Sequence, residues 1–363
     1  MGGVASVPTG LVGLLALLWL LVVPSPARAE AARPAADPTR TAFFYGRPVP
    51  PELFAHYDRV VVEADNLAAL PVPGAVRGEA FAYVSVGEIA KSHALHKEAP
   101  KDCLPGQNPD WKADVADLTR AEWHAFVLDR LIEPLWARGY RGFFLDTLDS
   151  FELVAKTPAA RKAQIAGLSA LLAKLASRHP DVKLILNRGF DVIGAVRSRV
   201  VGVVAESLFA GWDAKAKTYR DVPSADREWL HKRLGEVKTR EKVPVTVVDY
   251  LPADKGPERR EIARKIAQLG FDPWVASSDL DDVGVGQTEI VSRRLLVVHG
   301  GEQRLSQADV HVVAAAVLER LGYAVDYASV KDGLPSGRLA GRYAGVVALP
   351  PDHDPAQPRR ASA

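Results

Sequence analysis

Short and nearly continuous apolar runs recur along the chain, and most of them are separated by segments whose apolar positions have helical spacing. Such runs are typical of parallel strands that are buried on both faces. Eight runs are predicted to be strands: residues 41–46, 59–65, 79–88, 141–149, 182–189, 200–209, 243–251 and 271–280. Four segments between them are predicted to be helices: residues 119–139, 158–179, 224–241 and 257–269. Thr119 and Glu122 have the spacing of a capping box at the start of the first helix.

Eight strand–helix repeats over residues 41–284 have the length of an α/β fold of the (β/α)8 TIM-barrel type. A doubly wound sheet is the alternative. Residues 293–349 then show strand, helix and strand patterns, with Gly322 as the helix stop. Because this stretch is too small for a complete doubly wound domain, we predict a short incomplete α/β segment after the barrel. Residues 350–363 are predicted to be a disordered tail.

The chain begins with an apolar run over residues 11–23, which is followed by Ala27-Arg28-Ala29. This run is too short to span a bilayer comfortably, so we expect residues 1–29 to be a signal peptide that is cleaved after Ala29. An uncleaved anchor is the alternative, and both interpretations place the protein outside the cytoplasm, in the periplasm or secreted. Residues 30–40, rich in Pro and Ala, are predicted to be a linker.

Composition and charge narrow the classes of partner and cofactor. The net charge is +2 over 363 residues, which gives no support for nucleic acid as a partner. The single cysteine, Cys103, excludes an internal disulfide. His93 and His96 lie near it in a polar stretch, away from any strand-end acid, so neither a metal nor another cofactor is predicted.

Polar side chains follow the apolar runs, at the positions where barrel strands end. In a TIM barrel these carboxyl ends form the face that carries the chemistry. Asp146 and Glu206 are the strongest pair, because each comes directly after an uninterrupted apolar run. Two acids in different environments can divide the roles of nucleophile and acid, as glycoside hydrolysis requires. Capping a helix or pairing with Arg188 is the alternative role for either acid.

The other strand-end candidates carry hydrogen-bonding groups or flat aromatic rings, which suit the hydroxyls and ring faces of a sugar. The residues predicted to bind substrate are Tyr45, Asp65, Tyr83, Ser85, Glu88, Asp149, Asn187, Arg188, Asp249, Tyr250 and Trp274. Core packing is the alternative for each aromatic ring, and tying a loop is the alternative for Glu88. The excess of acids at these strand ends predicts a negative potential in the cleft.

Four motifs, in this order, resemble glycoside hydrolase family 114 across about residues 41–282: YVSVGE (83–88), GFFLDTLDSF (142–151), LNRGF (186–190) and VVAESLF (203–209). The resemblance implies an endo-acting hydrolase of α-1,4-linked galactosamine or N-acetylgalactosamine polymers on a (β/α)8 barrel. It implies Asp146 as the nucleophile and Glu206 as the acid/base. It further implies an aminosugar polysaccharide as substrate and other exopolysaccharide secretion proteins as partners.

The resemblance also implies that residues 293–349 begin a further α/β region, which precedes a deacetylase domain in related proteins. Because the sequence stops soon after Pro351, no deacetylase metal site is expected here. A non-catalytic polysaccharide-binding barrel, involved in exopolysaccharide export or modification, is the competing function. The separation of the two carboxyl groups distinguishes the hypotheses. About 5 Å indicates a retaining enzyme, about 6.5–9.5 Å indicates an inverting one, and a separation far outside these ranges argues for a binding barrel.

Overall fold

The computed structural model describes residues 39–72, 78–290, 293–300, 316–335, 339 and 343–348. The predicted signal peptide, nearly all of the predicted linker and the predicted tail lie outside the described residues.

Strands and helices are numbered in chain order. The strands are β1 (Thr41–Phe44), β2 (Arg59–Val62), β3 (Glu79–Ser85), β4 (Glu88–Ala90), β5 (Gly106–Asn108), β6 (Ala113–Val115), β7 (Gly142–Asp146), β8 (Lys183–Asn187), β9 (Val200–Glu206), β10 (Ala210–Asp213), β11 (Thr218–Asp221), β12 (Val245–Tyr250), β13 (Asp272–Ala276), β14 (Val285–Gly286), β15 (Arg294–His299), β16 (Ala324–Ser329) and β17 (Gly345–Ala348). The α-helices are α1 (Pro51–His56), α2 (Ala121–Phe126), α3 (Glu133–Ala137), α4 (Pro158–Arg178), α5 (Ser224–Glu236), α6 (Gly256–Gln268) and α7 (Ala316–Arg320). A π-helical stretch, Val127–Ile132, joins α2 to α3, and a second one, Val237–Glu241, extends α5.

Eight parallel strands form the main sheet in the order β1-β2-β3-β7-β8-β9-β12-β13, and β14 pairs antiparallel with β13 at the end. The sheet curves into a nearly closed barrel. At its seam the Thr41 N–H donates to the Asp272 carboxylate at 2.8 Å, and the Tyr45 N–H donates to the Leu280 carbonyl at 2.6 Å. All eight predicted strands are present, so the predicted α/β barrel is confirmed.

The core lies inside the barrel and between the strands and the helices outside them. In β7 the run Gly142–Leu145 is buried throughout, and the Phe144 ring meets the Phe43 ring of β1 edge-on at 5.3 Å. On the outside, α4 begins after Thr157, whose hydroxyl accepts the Ala160 N–H at 3.1 Å. This burial of large side chains, worth about 1.5–3 kcal/mol each, fixes the strand ends on which the site is built.

The start of the first predicted helix differs from the sequence prediction. The Thr119 hydroxyl donates to the Asp117 carboxylate at 2.7 Å, and α2 begins only at Ala121, so no capping box with Glu122 forms. The Asp117 carboxylate also accepts the backbone N–H of Thr119 at 3.0 Å, and this local turn competes with a helix start at Thr119. Gly139, with φ of 103°, ends this helical region as predicted.

Two insertions extend the face where the barrel strands end. The loop between β3 and β7 contains a small antiparallel sheet with the order β4-β6-β5. The loop after β9 forms the hairpin β10–β11. Both insertions follow carboxyl ends of barrel strands, so they form walls around the predicted site.

A short α/β segment follows the barrel, as predicted. Strands β15, β16 and β17 form a parallel sheet with β15 in the centre, and Gly322, with φ of 85°, ends α7. Its own small core contains Leu296, Ala328 and Tyr343. The bounds given above for the signal peptide, the linker, the barrel, the partial α/β unit and the tail stay predictions. Within the described residues, no helix combines the length and hydropathy that a membrane span requires.

Candidate active site

Asp146 is the last residue of β7, and its carboxylate accepts three hydrogen bonds. The donors are the Tyr83 hydroxyl at 2.9 Å, the Asn187 amide at 2.7 Å and the backbone N–H of Thr147 at 2.7 Å. Thr147 has a left-handed backbone, with φ of 60°, so the chain turns away directly after the acid. Burial raises the pKa of Asp146, and the three donors oppose this by stabilising the ionised form.

Glu206 is the last residue of β9 and lies beside Asp146. One carboxylate oxygen accepts from the Tyr250 hydroxyl at 2.5 Å, and the other accepts from the Asn187 amide at 3.2 Å. Burial, followed by the charge of Asp146, raises the pKa of Glu206 to about 7. A carboxyl group with this pKa can both donate and accept a proton near neutral pH.

Asn187, at the end of β8, lies between the two acids. Its amide nitrogen donates to Asp146 at 2.7 Å and to Glu206 at 3.2 Å, so the two accepting oxygens can be separated by at most the sum of these distances, about 5.9 Å. Its own Oδ1 is buried and has no hydrogen-bond partner within the described residues. The side chain therefore fixes the spacing of the two carboxylates through its amide nitrogen.

Three tyrosines surround the pair. The rings of Tyr45 and Tyr83 meet at 5.5 Å and 65°, and Tyr83 and Tyr250 each bond one of the two acids. Burial raises the pKa of all three hydroxyls well above the ordinary value for tyrosine. These hydroxyls are therefore protonated at physiological pH and serve as hydrogen-bond donors.

Arg188 lies at the rim of the site, directly after Asn187, and it too has a left-handed backbone, with φ of 54°. Its guanidinium donates to the backbone carbonyl of Glu206 at 2.6 Å and lies 3.5 Å from the Asp149 carboxylate. Asp149 is exposed, so this ion pair contributes little stability and leaves both groups accessible from solvent.

A cavity of about 410 Å³ opens beside Glu206, and we call it the catalytic cavity. Three tryptophans line it, and each comes from a different segment: Trp111 from the β3–β7 insertion, Trp212 from β10 and Trp229 from α5. Trp111 is 62% exposed and Trp229 is 53% exposed. None of the three tryptophans was among the residues predicted from the sequence to bind substrate. The available signal was the isolated tryptophans in the polar stretches around residues 111 and 229.

Ser85 and Glu88 support the β3–β7 insertion. The Ser85 hydroxyl donates to the backbone carbonyl of Glu88 at 2.8 Å and is bonded to the Thr147 hydroxyl at 2.9 Å. The buried Glu88 carboxylate accepts from the Asn108 amide at 2.9 Å, which ties β4 to β5. These two residues were predicted to bind substrate, and the structure places them in the support of the wall.

Asp249 also has a supporting position. Its buried carboxylate accepts the backbone N–H groups of Leu208, Phe209 and Ala210, at 2.6, 2.8 and 2.9 Å. Burial raises the pKa of Asp249 to about 6, and the three N–H groups oppose the rise. The base of the hairpin that follows Glu206 is thus tied to the end of β12.

Two predicted site residues do not reach the acid pair. The Asp65 side chain is 90% exposed and pairs with Arg138 at 2.9 Å, because a 3₁₀ turn after β2 carries it outward. Trp274 is fully buried in the core, where its ring meets Tyr57 edge-on at 5.3 Å. A Cβ atom at Gly284 would come within 2.6 Å of the indole, so the packing around Trp274 is closed.

Glu63 was missed by the sequence analysis. It directly follows β2, which is the same position that Asp146 and Glu206 take relative to their runs. Burial raises the pKa of Glu63, and its charge raises the pKa of Tyr83. Glu63 therefore lies close to the tyrosine that bonds Asp146.

Within the described residues, no group of three or more His, Cys, Asp or Glu side chains is arranged to hold a metal ion. His96, one of the two histidines near Cys103, is bonded to Asp114 at 2.7 Å.

Comparison with known proteins identifies the family. Residues 25–291 match the profile of the glycoside-hydrolase family GH114. The glycoside hydrolase domain of PelA from Pseudomonas aeruginosa is similar in structure, with 35% identity and a TM-score of 0.62 over 69% of this chain and 100% of that one. A variant of that domain with a glutamate replaced by alanine gives the same values.

More distant proteins share the fold or part of the sequence. Ega3 of Aspergillus fumigatus, in complex with galactosamine, is 14% identical with a TM-score of 0.52 over 68% of this chain and 94% of that one, a likeness of fold alone. An uncharacterized protein of Thermotoga maritima is 26% identical over 226 residues, 55% of this chain and 65% of that protein's length. With its barrel, its paired strand-end acids and its family match together, the chain belongs to GH114 and is a glycoside hydrolase.

Proposed function

We propose that this hydrolase cleaves an exopolysaccharide of α-1,4-linked galactosamine and N-acetylgalactosamine at internal bonds, with retention of configuration. Asp146 is the nucleophile and Glu206 is the acid/base. The observation that carries the proposal is the Asn187 amide, which holds both carboxylates at once, at 2.7 and 3.2 Å.

The spacing of the acids favours retention. Their accepting oxygens are at most about 5.9 Å apart, because both bond one nitrogen. Retaining glycosidases have carboxyl groups about 5–5.5 Å apart, whereas inverting enzymes need about 6.5–9.5 Å to accommodate a water molecule.

The environments of the two acids favour the division of roles. Asp146 accepts three hydrogen bonds, which favour the ionised form that attacks. Glu206 has a pKa of about 7, raised by burial and by the charge of Asp146, which favours a transferable proton. Once Asp146 is consumed in an ester, its charge is lost, and the pKa of Glu206 falls to suit a general base.

The reaction then proceeds in two steps. An oxygen of Asp146 bonds the anomeric carbon while the glycosidic C–O bond breaks, and the leaving oxygen takes the proton of Glu206. In the second step water gives a proton to the Glu206 carboxylate and bonds the anomeric carbon. The ester bond breaks, and its electron pair returns to the Asp146 carboxylate.

The aminosugar specificity is supported by charge and by the relatives. Two carboxylates at the bottom of the site attract a polymer with free amines and repel one that carries uronic acids. Ega3, which has a similar fold, was crystallised with galactosamine, and the similar domain of PelA is a glycoside hydrolase domain. We further propose a periplasmic or secreted location and other exopolysaccharide secretion proteins as partners, in line with the predicted signal peptide.

The test measures reducing ends released from partially deacetylated galactosaminan. We expect Asp146→Asn and Glu206→Gln each to lower turnover by at least about a thousandfold, while circular dichroism stays that of the wild type. Asp65→Asn is the matched control, because this strand-end acid lies outside the site and should keep wild-type turnover.

Three results would overturn the proposal. Near-wild-type turnover in both acid variants would remove the catalytic assignment. A wild-type protein that binds the polymer without releasing reducing ends would favour a binding barrel. A first product of inverted anomeric configuration, seen by proton NMR within the first turnovers, would contradict the retaining mechanism.

A further inference from the structure

A second cavity of about 410 Å³ adjoins the catalytic cavity, and we call it the distal cavity. The two cavities share Arg188 and Trp229 as lining residues. The distal cavity extends from there between the loop after β8 and the first half of α4, where Arg161 lines it. The two hollows are therefore consecutive stretches of one cleft, and each has a volume in the range of ligand pockets, about 300–1,000 Å³.

Trp229 forms the ridge between the two cavities. Its indole is 53% exposed and meets the Phe190 ring edge-on at 6.3 Å, while the Arg233 guanidinium lies 5.1 Å from the centre of the Phe190 ring. Contacts on one side thus orient an aromatic side chain whose remaining surface faces solvent. An oriented and exposed indole is suited to stack on the apolar face of a pyranose ring.

The charges that line the distal cavity are balanced. Each acid there has a guanidinium partner: Glu152 with Arg161 at 2.5 Å, Asp149 with Arg188 at 3.5 Å, and Asp191 with Arg233 at 3.8 Å. A lining of this kind offers many donors and acceptors without a net charge. It suits a neutral ligand rich in hydroxyl and acetamido groups better than it suits an isolated ion.

We propose that the distal cavity is a second saccharide-binding site, in which the polymer continues from the catalytic cavity across Trp229. The proposal rests on the function proposed above, since an enzyme that cleaves internal bonds must hold several sugar units on at least one side of the scissile bond. The balanced charges assign neutral, N-acetylated units of the chain to this site, whereas the acid pair favours units with free amines.

The experiment measures binding as a function of chain length. Glu206→Gln serves as the parent because it cannot cleave, and the probes are α-1,4-linked N-acetylgalactosamine oligomers from two to eight units, titrated by calorimetry. We expect the ratio of the disaccharide Kd to the octasaccharide Kd to be large in the parent. Adding Trp229→Ala or Arg161→Ala should lower this ratio at least about tenfold.

Three further proteins sharpen the result. Trp229→Phe keeps a ring face and should restore most of the ratio. Lys232→Ala is the matched control, since Lys232 is an exposed residue of the same helix that lines neither cavity. Because Trp229 and Arg161 are each about half exposed, their truncation should change the thermal midpoint little.

The outcomes separate the two proposals. If the parent binds longer oligomers more tightly and both alanine variants keep the full ratio, the distal site is refuted while the proposed function stands. A parent whose affinity does not depend on chain length refutes it as well. If the parent binds no oligomer and the wild type cleaves no polymer, the proposed function fails, and the distal site fails with it.

Discussion

Replacing Tyr250 by phenylalanine changes the proton affinity of Glu206 without changing the shape of the site. The Tyr250 hydroxyl donates to the Glu206 carboxylate at 2.5 Å and so stabilises its ionised form. This bond is one of the effects that hold the pKa of Glu206 down to about 7 against burial and the charge of Asp146. Without the hydroxyl, the ionised form of Glu206 loses this stabilising hydrogen bond, so the pKa of Glu206 rises.

The size of the shift follows from the strength of the lost bond. A hydrogen bond to a charged group contributes about 1.5–3 kcal/mol. One pKa unit corresponds to about 1.4 kcal/mol, so the loss of this bond should raise the pKa of Glu206 by about one to two units.

The pH profile of kcat/KM reports the pKa values of the free enzyme, and its alkaline limb follows the group that must be protonated. We expect Tyr250→Phe to move this limb upward by at least about one unit. Tyr219→Phe is the matched control, because Tyr219 bonds Ser278 instead of Glu206 and should leave the limb in place. A titration of the Glu206 carboxyl followed by carbon-13 NMR gives the same pKa and needs no activity assay. An unmoved or lowered limb would refute the assignment of Glu206 as the acid.

Three further predictions concern stability and the end of the chain. Burial raises the pKa of Asp272 from 3.8 to about 7, so its contribution to stability is full below pH 3.8 and is lost as the pH rises through 7. Asp272→Asn should flatten the fall of Tm over that range, and an unchanged slope would contradict this. Asp249→Ala leaves three backbone N–H groups without their acceptor and should cost roughly 3 kcal/mol in urea unfolding, whereas Asp249→Asn, which keeps one oxygen, should cost less. A chain ending at Ile290 keeps the Thr288 contacts of the barrel and should retain its turnover and unfolding midpoint; loss of either would show that β15–β17 stabilise the barrel.

The barrel could be predicted from sequence because a parallel strand buried on both faces leaves a nearly continuous apolar run. The hairpin β10–β11 leaves no such run, since it is a small surface ribbon in which Asp213 and Thr218 take part. The start of α2 was misplaced for a local reason, because Asp117 captures the hydroxyl that the capping box needed. Long-range burial was therefore easier to predict than the competition between neighbouring polar groups.

From the sequence, the position of a residue at a strand end indicates which residues lie close together. It does not indicate whether a side chain points into the cleft or into the core. Asp146, Asn187 and Glu206 are the last residues of β7, β8 and β9, and these neighbouring parallel strands bring them together. Asp65 lies in the turn after β2 and not at the strand end. Glu63, which directly follows β2, occupies the position that was predicted for Asp65. In β13 every residue is buried, so the pattern contains no sign that Trp274 faces the core.

Asp249 fixes the base of the hairpin β10–β11 independently of the tip of the hairpin. It clamps the hairpin at its base, through the backbone of residues 208–210, and no side chain of the hairpin takes part in that clamp. The tip, residues 213–218, can therefore be exchanged for another sequence or length while Glu206, which precedes the clamp, keeps its place. Because none of these six positions lines either cavity, a barrel built in this way can change the length of its wall by loop replacement while the lining of the cleft stays the same.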